Sequence, residues 1–458
     1  MTRQFDAIVI GAGQAGPSLT GRLTSSGMTV AMVERHLFGG TCVNTGCTPT
    51  KTLVASAEVA HQARRASEYG VNVGGTVTVD MRAVKARKDQ IIGASRTRLE
   101  KWLREMERCT VFHGHARFES PYELAVGDEL LTARLIFINV GGRAVVPDMP
   151  GVGTVPFLTN TSMLELEIVP RHLIVVGGSY IGLEFAQMFR RFGSEVTVIE
   201  KGERLISKED PDVSAAIADI LAREGIAIRT DAECIRFAHR GSDIVAGVNC
   251  KAGEPEVTGS HLLLAVGRRP NTDDLGLDKA GVALDARGYI TVDDQLQTNV
   301  PGIWALGDCN GRGAFTHTSY NDFEIVAENL LDGRNRRVSD RIPCYGLFID
   351  PPLGRVGLTE AEARAKQHEF QVGSRPMTRV NRAVEKGESQ GFMKIMVDKN
   401  SRRILGAAIL GVGGDEAVHC ILDTMSAGAP FNTLRDTVHI HPTVAELIPT
   451  VLGELNQA

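Results

Sequence analysis

The sequence predicts an α/β protein made of two Rossmann-like units and a C-terminal α+β domain. Two observations carry this prediction. The order strand, glycine-rich turn, helix, strand occurs twice, over residues 5–34 and 172–200. Residues 342–458 instead alternate strand-like apolar runs and end in a helical tail. A chain of 458 residues has room for about three domains.

The first unit begins with the apolar run FDAIVI over residues 5–10, which predicts a buried strand. The turn GAGQAG follows with Gly11, Gly13 and Gly16, and PSLTGRLTSSG continues it as a helix. The strand MTVAMVE then ends in Glu34. In a dinucleotide-binding domain, such glycines open the helix N-terminus to a pyrophosphate and the acid binds a ribose hydroxyl.

The second unit repeats this order with HLIVV, GGSYIG, LEFAQMFRRFG and SEVTVIE. Its turn carries Gly177, Gly178 and Gly182, and its last strand ends in Glu200. Ser179 stands where the second motif glycine is usual, and we expect it to crowd the backbone approach to a pyrophosphate slightly. The first glycine and the acid are 23 residues apart in both units. Two complete units predict two dinucleotide-binding domains, whereas one glycine motif alone is weak evidence.

Residues 50–110 lie between the two units and are rich in helix formers. Within them, Leu99, Trp102, Leu103 and Met106 repeat at helical spacing, which predicts the core face of a helix. A β-rich stretch follows and ends in the apolar strand LIFINV.

The remaining elements follow from similar patterns. Residues 204–224 are predicted as a helix that opens near Asp210-Pro211, and HLLLAVG, YITVD and IWALGD are predicted strands. Residues 334–341 are short, charged and without apolar periodicity, which predicts a linker. FMKIMVD and ILGAAILG are predicted strands of the last domain. We place the domains at residues 1–150 with 273–337, at 151–272, and at 338–458.

The composition is that of an ordinary globular protein with a formal net charge of −5. Since there is no basic stripe, we expect no nucleic-acid partner. No apolar run reaches the ~18 residues of a membrane span, so we expect no membrane partner. The chain enters its first strand at Phe5 without the apolar core of a signal peptide, which predicts a cytoplasmic protein.

Cys42 and Cys47, in GGTCVNTGCTPTK, are the most informative residues of the chain. A disulfide requires Cα atoms within about 7 Å, which this spacing meets if the second cysteine lies in a helical turn. Pro49 suits a first helical turn, and a thiol at a helix N-terminus has a lowered pKa. Half a zinc site and two inert buried thiols are the alternatives. The remaining cysteines show no pairing pattern and are predicted to be buried small hydrophobes: Cys109, Cys234, Cys250, Cys309, Cys344 and Cys420.

This run resembles the redox-active motif of the class I FAD-dependent pyridine nucleotide-disulfide oxidoreductases, which include dihydrolipoamide dehydrogenase, glutathione reductase and mercuric reductase. The resemblance extends through the whole chain to His441-Pro442-Thr443. It implies an enzyme that passes electrons from NAD(P)H through FAD to a Cys42–Cys47 disulfide. It also implies a homodimer in which the C-terminal domain is the dimerisation domain.

The resemblance assigns a cofactor to each unit. The first unit is implied to bind FAD through its three motif glycines and Glu34. The further FAD contacts that the resemblance implies are Gly40, Thr41, Lys51, Gly141, Asp308, Thr316 and His317. The second unit is implied to bind the nicotinamide nucleotide through its motif glycines, Ser179, Glu200 and Gly267. Glu200 suits a free ribose 2′-hydroxyl and predicts NADH, while Lys201 and Arg204 leave NADPH open.

Two pairs of residues resemble the family's catalytic groups. Lys51 and Glu184 resemble a buried ion pair that places positive charge beside the flavin. His441 and Glu446 resemble an acid/base pair in which the histidine reaches the disulfide of the other subunit. Thiol exchange needs a base and an acid, and imidazole serves as both near neutral pH. No residue is predicted to bind a metal.

The substrate is predicted from finer likeness. Residues 48–51, PPLGRVG at 351–357 and HPTVAELIPT resemble the mercuric-reductase-like and reactive-chlorine-resistance reductases, which predicts a disulfide, metal-ion or other oxidant substrate. Dihydrolipoamide dehydrogenase is the main alternative. Mercury(II) reduction is disfavoured because the sequence retains His-Pro-Thr and has no second cysteine pair near its end. Gly21 stands in the first helix where glutathione reductase has an arginine for the glutathione carboxylate, which disfavours glutathione as the substrate. A structural subunit of a complex and a redox sensor without turnover are alternatives from other classes.

Overall fold

A computed structural model describes residues 2–249 and 254–457 of the chain. Each βαβ unit predicted from the sequence forms the centre of a parallel sheet, and the C-terminal part forms an antiparallel sheet. Cys250 and the side chain of Cys234 lie outside the described part of the chain.

The first parallel sheet gathers strands from two distant parts of the chain. In spatial order its strands are Ile303–Ala305, Leu135–Ile138, Ala7–Ile10, Val30–Glu34 and Cys109–His113. Ile8 and Ile10 pack into one core cluster, whereas Ala7 and Val9 pack into another. The sheet is therefore covered on both faces, which explains why its central strand is a continuous apolar run.

The second parallel sheet has the order Ala227–Arg229, Glu195–Ile199, His172–Val176 and His261–Leu264. Its helix Tyr180–Phe192 buries the side chains that face this sheet and the C-terminal part of the chain. The carboxyl ends of the parallel strands meet at one edge of each sheet, and this is where ligands bind in open α/β folds.

The remaining strands form smaller sheets and the antiparallel C-terminal sheet. The smaller sheets are Thr2–Gln4, Glu129–Thr132, Glu123–Val126 and Ala116–Ser120; Glu233–Arg240, Asp243–Asn249 and Glu256–Gly259; and Gly142–Ala144 with Arg268–Pro270. The C-terminal sheet has the order Cys344–Leu347, Leu353–Gly357, Ile404–Leu410, Phe392–Asp398, Phe370–Pro376 and Asn456–Gln457.

The helices connect these sheets. The α-helices are Ala15–Ser25, Gly40–Asn44, Cys47–Arg65, Met81–Glu105, Asn160–Met163, Tyr180–Phe192, Pro211–Arg223, Leu277–Ala280, Thr316–Leu331, Glu360–Ala365, Asn381–Glu385, Gly414–Ala417, His419–Ser426, Phe431–Arg435 and Ile448–Gly453. Short 3₁₀ turns are Ala66–Tyr69, Val152–Thr154, Gly307–Asn310, Val338–Asp340, Met377–Arg379 and Ala445–Leu447. None of the helices in the described ranges is long and apolar enough to cross a membrane.

Two sequence-based predictions of elements were wrong. YITVD is no strand, because Ile290 and Val292 each make only an isolated bridge. The helix predicted to open near Asp210-Pro211 is confirmed, because it begins at Pro211, where proline's fixed φ and missing N–H suit a first helical turn. Trp102 is 45% exposed, so the core face of helix Met81–Glu105 is narrower than its spacing suggested.

The scattered cysteines are less buried than predicted. Of the four whose side chains are described, Cys309 is buried, whereas Cys109, Cys344 and Cys420 are half-buried. They lie at the margins of the core clusters, where a small side chain is tolerated without complete burial.

A buried ionic cluster joins the second unit to the C-terminal sheet. Arg355 lies 3.7 Å from Glu209 and 3.6 Å from Asp210, and Nζ of Lys394 lies 3.1 Å from Asp210. The Tyr345 hydroxyl donates to Oε1 of Glu209 at 2.5 Å. The cluster therefore pairs opposite charges where the second unit meets the C-terminal sheet.

Candidate active site

A single large cavity reaches both glycine-rich turns and both thiols of the Cys42–Cys47 pair. Its volume is about 1660 Å³. A site for one small ligand typically measures about 300–1,000 Å³, so this cavity has room for more than one ligand. The residues that line it come from both parallel sheets and from the C-terminal domain.

The first glycine-rich turn is closed by backbone contacts. Gly11 has φ +102°, and a Cβ there would lie 2.3 Å from the Asn139 carbonyl oxygen. A Cβ on Gly16 would lie 2.1 Å from the Gly11 carbonyl oxygen. Glu34 accepts a hydrogen bond from the Ala12 N–H at 2.8 Å, which ties the acid to the turn. These contacts require glycine at both positions.

The second turn repeats this geometry. Gly177 has φ +114°, and a Cβ there would lie 2.4 Å from the Ala265 carbonyl oxygen. A Cβ on Gly182 would lie 2.0 Å from the Gly177 carbonyl oxygen. Glu200 accepts from the Gly178 N–H at 2.6 Å. The sequence repeat is therefore a structural repeat, down to the hydrogen bond that holds the acid.

The steric crowding expected at Ser179 is found only at Gly13, the equivalent position of the first turn. A Cβ on Gly13 would lie 2.9 Å from Oδ1 of Asn139, whose amide also bridges the Gly16 N–H and the Leu306 carbonyl oxygen. In the second turn, Ala265 presents its carbonyl to Gly177 and has no side chain that reaches so far. Ser179 is therefore accommodated, with φ −112° in the extended region.

Both turns present a helix N-terminus to the cavity, and in the first turn the Gly16 N–H donates to Asn139. The residues that precede the two helices, Gln14 and Ser179, make no side-chain capping bond. Both line the cavity. Uncapped N–H groups at a helix N-terminus bind phosphate, so the two turns fit the pyrophosphates of FAD and of a nicotinamide nucleotide.

The redox motif packs directly on the first turn. Gly40 has φ +58°, and a Cβ there would lie 2.9 Å from Cα of Gly13. Gly46 is similarly confined, because its Cβ would lie 2.9 Å from the Thr41 carbonyl oxygen. Helix Cys47–Arg65 begins at the second cysteine, which confirms the predicted helical turn with Pro49 inside it.

The two thiols differ sharply in acidity. Both cysteines are free, and Cys47 opens into the cavity while Cys42 is half-buried. The Cys42 S–H, the Thr316 hydroxyl at 3.0 Å and the Lys51 charge lower the pKa of Cys47 to about 6, against the opposing effect of its burial. Donation to Cys47, together with burial, raises the pKa of Cys42. The exposure of Cys47 argues against the alternative of two buried thiols. In the described ranges, no group of three or more His, Cys, Asp or Glu could hold a metal ion.

Lys51 and Glu184 form an ion pair on the cavity wall. Nζ of Lys51 lies 2.9 Å from Oε1 and 2.7 Å from Oε2 of Glu184. The carboxylate is buried on helix Tyr180–Phe192, whereas the ammonium is about one-third exposed. The expected pair is present, and the fixed positive charge lies one helical turn beyond Cys47.

The other residues expected near FAD also line the cavity. Gly141, Asp308, Thr316 and His317 lie on its wall, as does Gly267 from the second unit. Burial raises the pKa of the Asp308 carboxyl, and it lowers the pKa of His317. Their roles in binding remain predictions.

His441 and Glu446 pair with each other but do not line the cavity of their own chain. Nδ1 of His441 lies 2.9 Å from Oε2 of Glu446, and the carboxylate is the acceptor. The His441 side chain is 70% exposed. Its neighbours Val438 and Ile440 are 96% and 80% exposed, which is unusual for apolar side chains.

Sequence reasoning missed two residues at this site. Asn139 was given no role of its own within the predicted strand LIFINV, although its buried amide spans the first turn. Its position at the end of an apolar strand was a usable signal. Phe348, which lies over Lys51, gave no signal in the sequence because it sits in an otherwise ordinary apolar run.

Comparison with known proteins identifies the family. Residues 5–322 match the pyridine nucleotide-disulphide oxidoreductase family, and residues 344–452 match the dimerisation domain of that family. Members depend on FAD and NAD(P)H.

Individual relatives cover nearly the whole chain. The probable pyridine nucleotide-disulfide oxidoreductase RclA of Escherichia coli (strain K12) is 36% identical and covers 97% of both chains. A mercuric reductase of Streptomyces lividans is 33% identical over 97% of this chain and 94% of its own. A dihydrolipoyl dehydrogenase of Chlamydia muridarum is 32% identical over 98% and 96%.

Solved structures agree with these relatives. The Cu(II) complex of the HOCl-induced flavoprotein disulfide reductase RclA from Escherichia coli superposes with a TM-score of 0.88 at 35% identity, over 98% of this chain and 99% of that one. The fold of the chain agrees with these matches. The chain belongs to the pyridine nucleotide-disulphide oxidoreductase family and is a flavoprotein oxidoreductase.

Proposed function

We propose that the protein uses NADH to reduce a Cys42–Cys47 disulfide, and that the resulting dithiol reduces a small disulfide or a metal ion. For a disulfide the reaction is NADH + H⁺ + RSSR → NAD⁺ + 2 RSH. FAD, when bound, supplies the two-electron relay between the nicotinamide and the cysteine pair. The observation that carries the proposal is that Cys42 and Cys47 line one cavity that reaches both glycine-rich turns, with the Thr316 hydroxyl 3.0 Å from the Cys47 sulfur and the Lys51–Glu184 pair on the same wall.

The unequal acidity of the two thiols assigns them different roles. Cys47 is the stable thiolate, held by the Thr316 hydroxyl and the Lys51 charge. Cys42 keeps its proton and becomes a nucleophile only when a base removes it. The Cys42 thiolate attacks the substrate disulfide and releases one thiolate, which takes up that proton. Cys47 then attacks Cys42 and re-forms the Cys42–Cys47 disulfide, and the second thiolate that leaves takes up the H⁺ of the overall reaction from solvent.

The base is His441 of a second copy in a homodimer. Within one chain, His441 is exposed and does not line the cavity, yet it is already oriented by Glu446. Removal of the Cys42 proton by Nε2 leaves an imidazolium that Glu446 stabilises through Nδ1–H. The match to a dimerisation domain and the exposed Val438 and Ile440 support a partner surface at this segment.

The proposed substrates are supported by the similar proteins. The Cu(II) complex of the similar Escherichia coli reductase supports a metal-ion substrate, with the balance NADH + 2 Cu²⁺ → NAD⁺ + H⁺ + 2 Cu⁺. The similar dihydrolipoyl dehydrogenases support the second candidate, in which a dithiol is oxidised by NAD⁺. Both share the cysteine pair and its base and differ in the acceptor.

Mixed dimers test the shared site. A Cys42→Ser chain and a His441→Ala chain should each lose about 10²–10⁴-fold of the disulfide-reducing activity, since each lacks a group required for exchange. A heterodimer of the two, isolated by two different affinity tags, contains one intact site and should regain up to half of the activity of a wild-type dimer. Heterodimers as inactive as the parents would show that His441 does not act across the interface.

A substrate panel tests the acceptor. Lipoamide, glutathione disulfide, a small aliphatic disulfide, Cu(II), Hg(II) and a quinone are each supplied with NADH or NADPH, and nucleotide oxidation is followed. The proposal predicts turnover with the small disulfide or Cu(II). Dihydrolipoamide with NAD⁺ is assayed alongside the panel, where a faster reaction would favour the second candidate, and no turnover of nucleotide in any of these reactions would overturn both.

A further inference from the structure

Phe348 contacts both members of the Lys51–Glu184 pair. Nζ of Lys51 lies 4.4 Å from the centroid of the Phe348 ring. The Phe348 backbone N–H donates to Oε1 of Glu184 at 3.1 Å. One residue therefore binds the carboxylate through its backbone and faces the ammonium with its ring, which is the geometry of a cation–π contact.

Gly346 makes the room for this ring. A Cβ on Gly346 would lie 3.2 Å from Cε2 and Cζ of Phe348. Its φ is not among the positive values that favour glycine, so the backbone itself does not require glycine here. The space occupied by the ring of Phe348 is therefore the structural reason for a glycine two residues earlier.

The segment that carries Phe348 is fixed to the helix that carries Glu184. Gln187 exchanges two hydrogen bonds with the Asp350 backbone, at 2.7 and 2.8 Å. Arg191 donates to the Asp350 carboxylate at 2.7 Å. Glu184, Gln187 and Arg191 lie on one helix face at helical spacing. Phe348 is thus tied to this helix through its own backbone N–H and through Asp350, two residues later.

We propose that Phe348 is a positioning residue for Lys51, holding its ammonium on Glu184 and toward the thiols, and that Gly346 serves this by leaving space for the ring. Lysine has a long, flexible side chain, and two bonds to one carboxylate leave it several orientations. The ring of Phe348 covers one side of the Lys51 ammonium. The proposal deepens the proposed function, on which it rests for the role of Lys51.

The Cys47 thiolate reports the position of Lys51. Cys42, Thr316 and Lys51 all face Cys47, and the Lys51 charge lowers its pKa. Ultraviolet thiolate absorbance of the reduced holoenzyme, titrated against pH and corrected with a Cys47→Ser variant, gives the midpoint without NADH or substrate. A failure of the proposed function in the substrate panel is therefore separate from a failure here.

Phe348→Leu should raise the Cys47 midpoint by about half a pH unit, because loss of a cation–π contact changes an equilibrium about threefold or more. Phe348→Tyr keeps a ring face and should keep the wild-type midpoint. Gly346→Ala should raise the midpoint by displacing the ring, and should add nothing to Phe348→Leu. Leu347→Met, a volume-conserving change in the same strand, is the control and should change nothing.

The decisive comparison is made in a Lys51→Met chain. There Phe348→Leu should leave the midpoint where Lys51→Met alone puts it, since the effect of the ring passes through the ammonium. An equal shift in the presence and absence of Lys51, or no shift from Phe348→Leu in the wild-type chain, would overturn the proposal. So would a Lys51→Met midpoint equal to that of wild type.

Discussion

The acidity of Cys47 is the property of this site that can be changed and measured most directly. With a pKa of about 6 rather than the ordinary value near 9, Cys47 is about 90% thiolate at pH 7 instead of about 1%. The Cys42 thiol contributes most to this shift, followed by the Thr316 hydroxyl and then the Lys51 charge. Removing any of them takes away a group that stabilises the charged form, so each change raises the pKa.

Thr316→Val removes a hydroxyl 3.0 Å from the Cys47 sulfur at nearly constant side-chain volume. A hydrogen bond to a charged acceptor is worth about 1.5–3 kcal/mol, and a pKa unit corresponds to about 1.4 kcal/mol. Because Cys47 opens into the cavity and water can replace part of the lost bond, we expect the low end of that range. The midpoint should rise by about one unit, to near 7, and the thiolate fraction at pH 7 should fall to about half.

The assay is ultraviolet thiolate absorbance of the reduced protein against pH, with the Cys47→Ser titration subtracted. The two thiols are coupled, so the first midpoint belongs to the pair, and the second should lie far above it. Thr316→Ser retains the hydroxyl and should retain the wild-type midpoint. Cys42→Ala should raise the midpoint more than Thr316→Val, and Lys51→Met should raise it less. If Thr316→Val and wild type titrate together, the hydroxyl does not hold the thiolate and the reasoning fails.

Three further predictions concern the rest of the chain. Gly13→Ser should lower the FAD content, measured by flavin absorbance per chain, because only the first turn has a buried amide 2.9 Å from the added Cβ. Ser179→Gly should in contrast leave the KM for NADH within about twofold. Equal effects of the two changes on binding of their nucleotides would contradict this account. Tyr345→Phe leaves a buried oxygen of Glu209 without its donor and should lower the free energy of unfolding by about 1–3 kcal/mol in urea denaturation, where an unchanged midpoint would be the contrary result. Glu200 should make kcat/KM higher with NADH than with NADPH, and a preference for NADPH would show that neighbouring cations outweigh the acid.

Much of the site was predictable because its signals are local. The glycine turns, the acids 23 residues beyond them and the cysteine motif each depend on backbone conformation over a few residues, and that is encoded where it is used. Predictions failed where burial depends on distant contacts. The pattern at Trp102 was correct as helical spacing, yet what covers each face of a helix is set by elements elsewhere in the chain.

The sequence by itself determined the two βαβ units, the cysteine pair at a helix N-terminus and the family to which the chain belongs. Only the tertiary structure decided why Ser179 is tolerated in the second turn, why Cys42 and Cys47 differ in acidity, and how Phe348 and Glu184 hold Lys51 between them. The physical reason is the separation along the chain over which each kind of interaction acts. Turn and helix preferences act over a few residues, whereas steric room, hydrogen-bond donors and charge at a site depend on atoms that lie more than 100 residues apart in the chain, as Lys51 and Glu184 do.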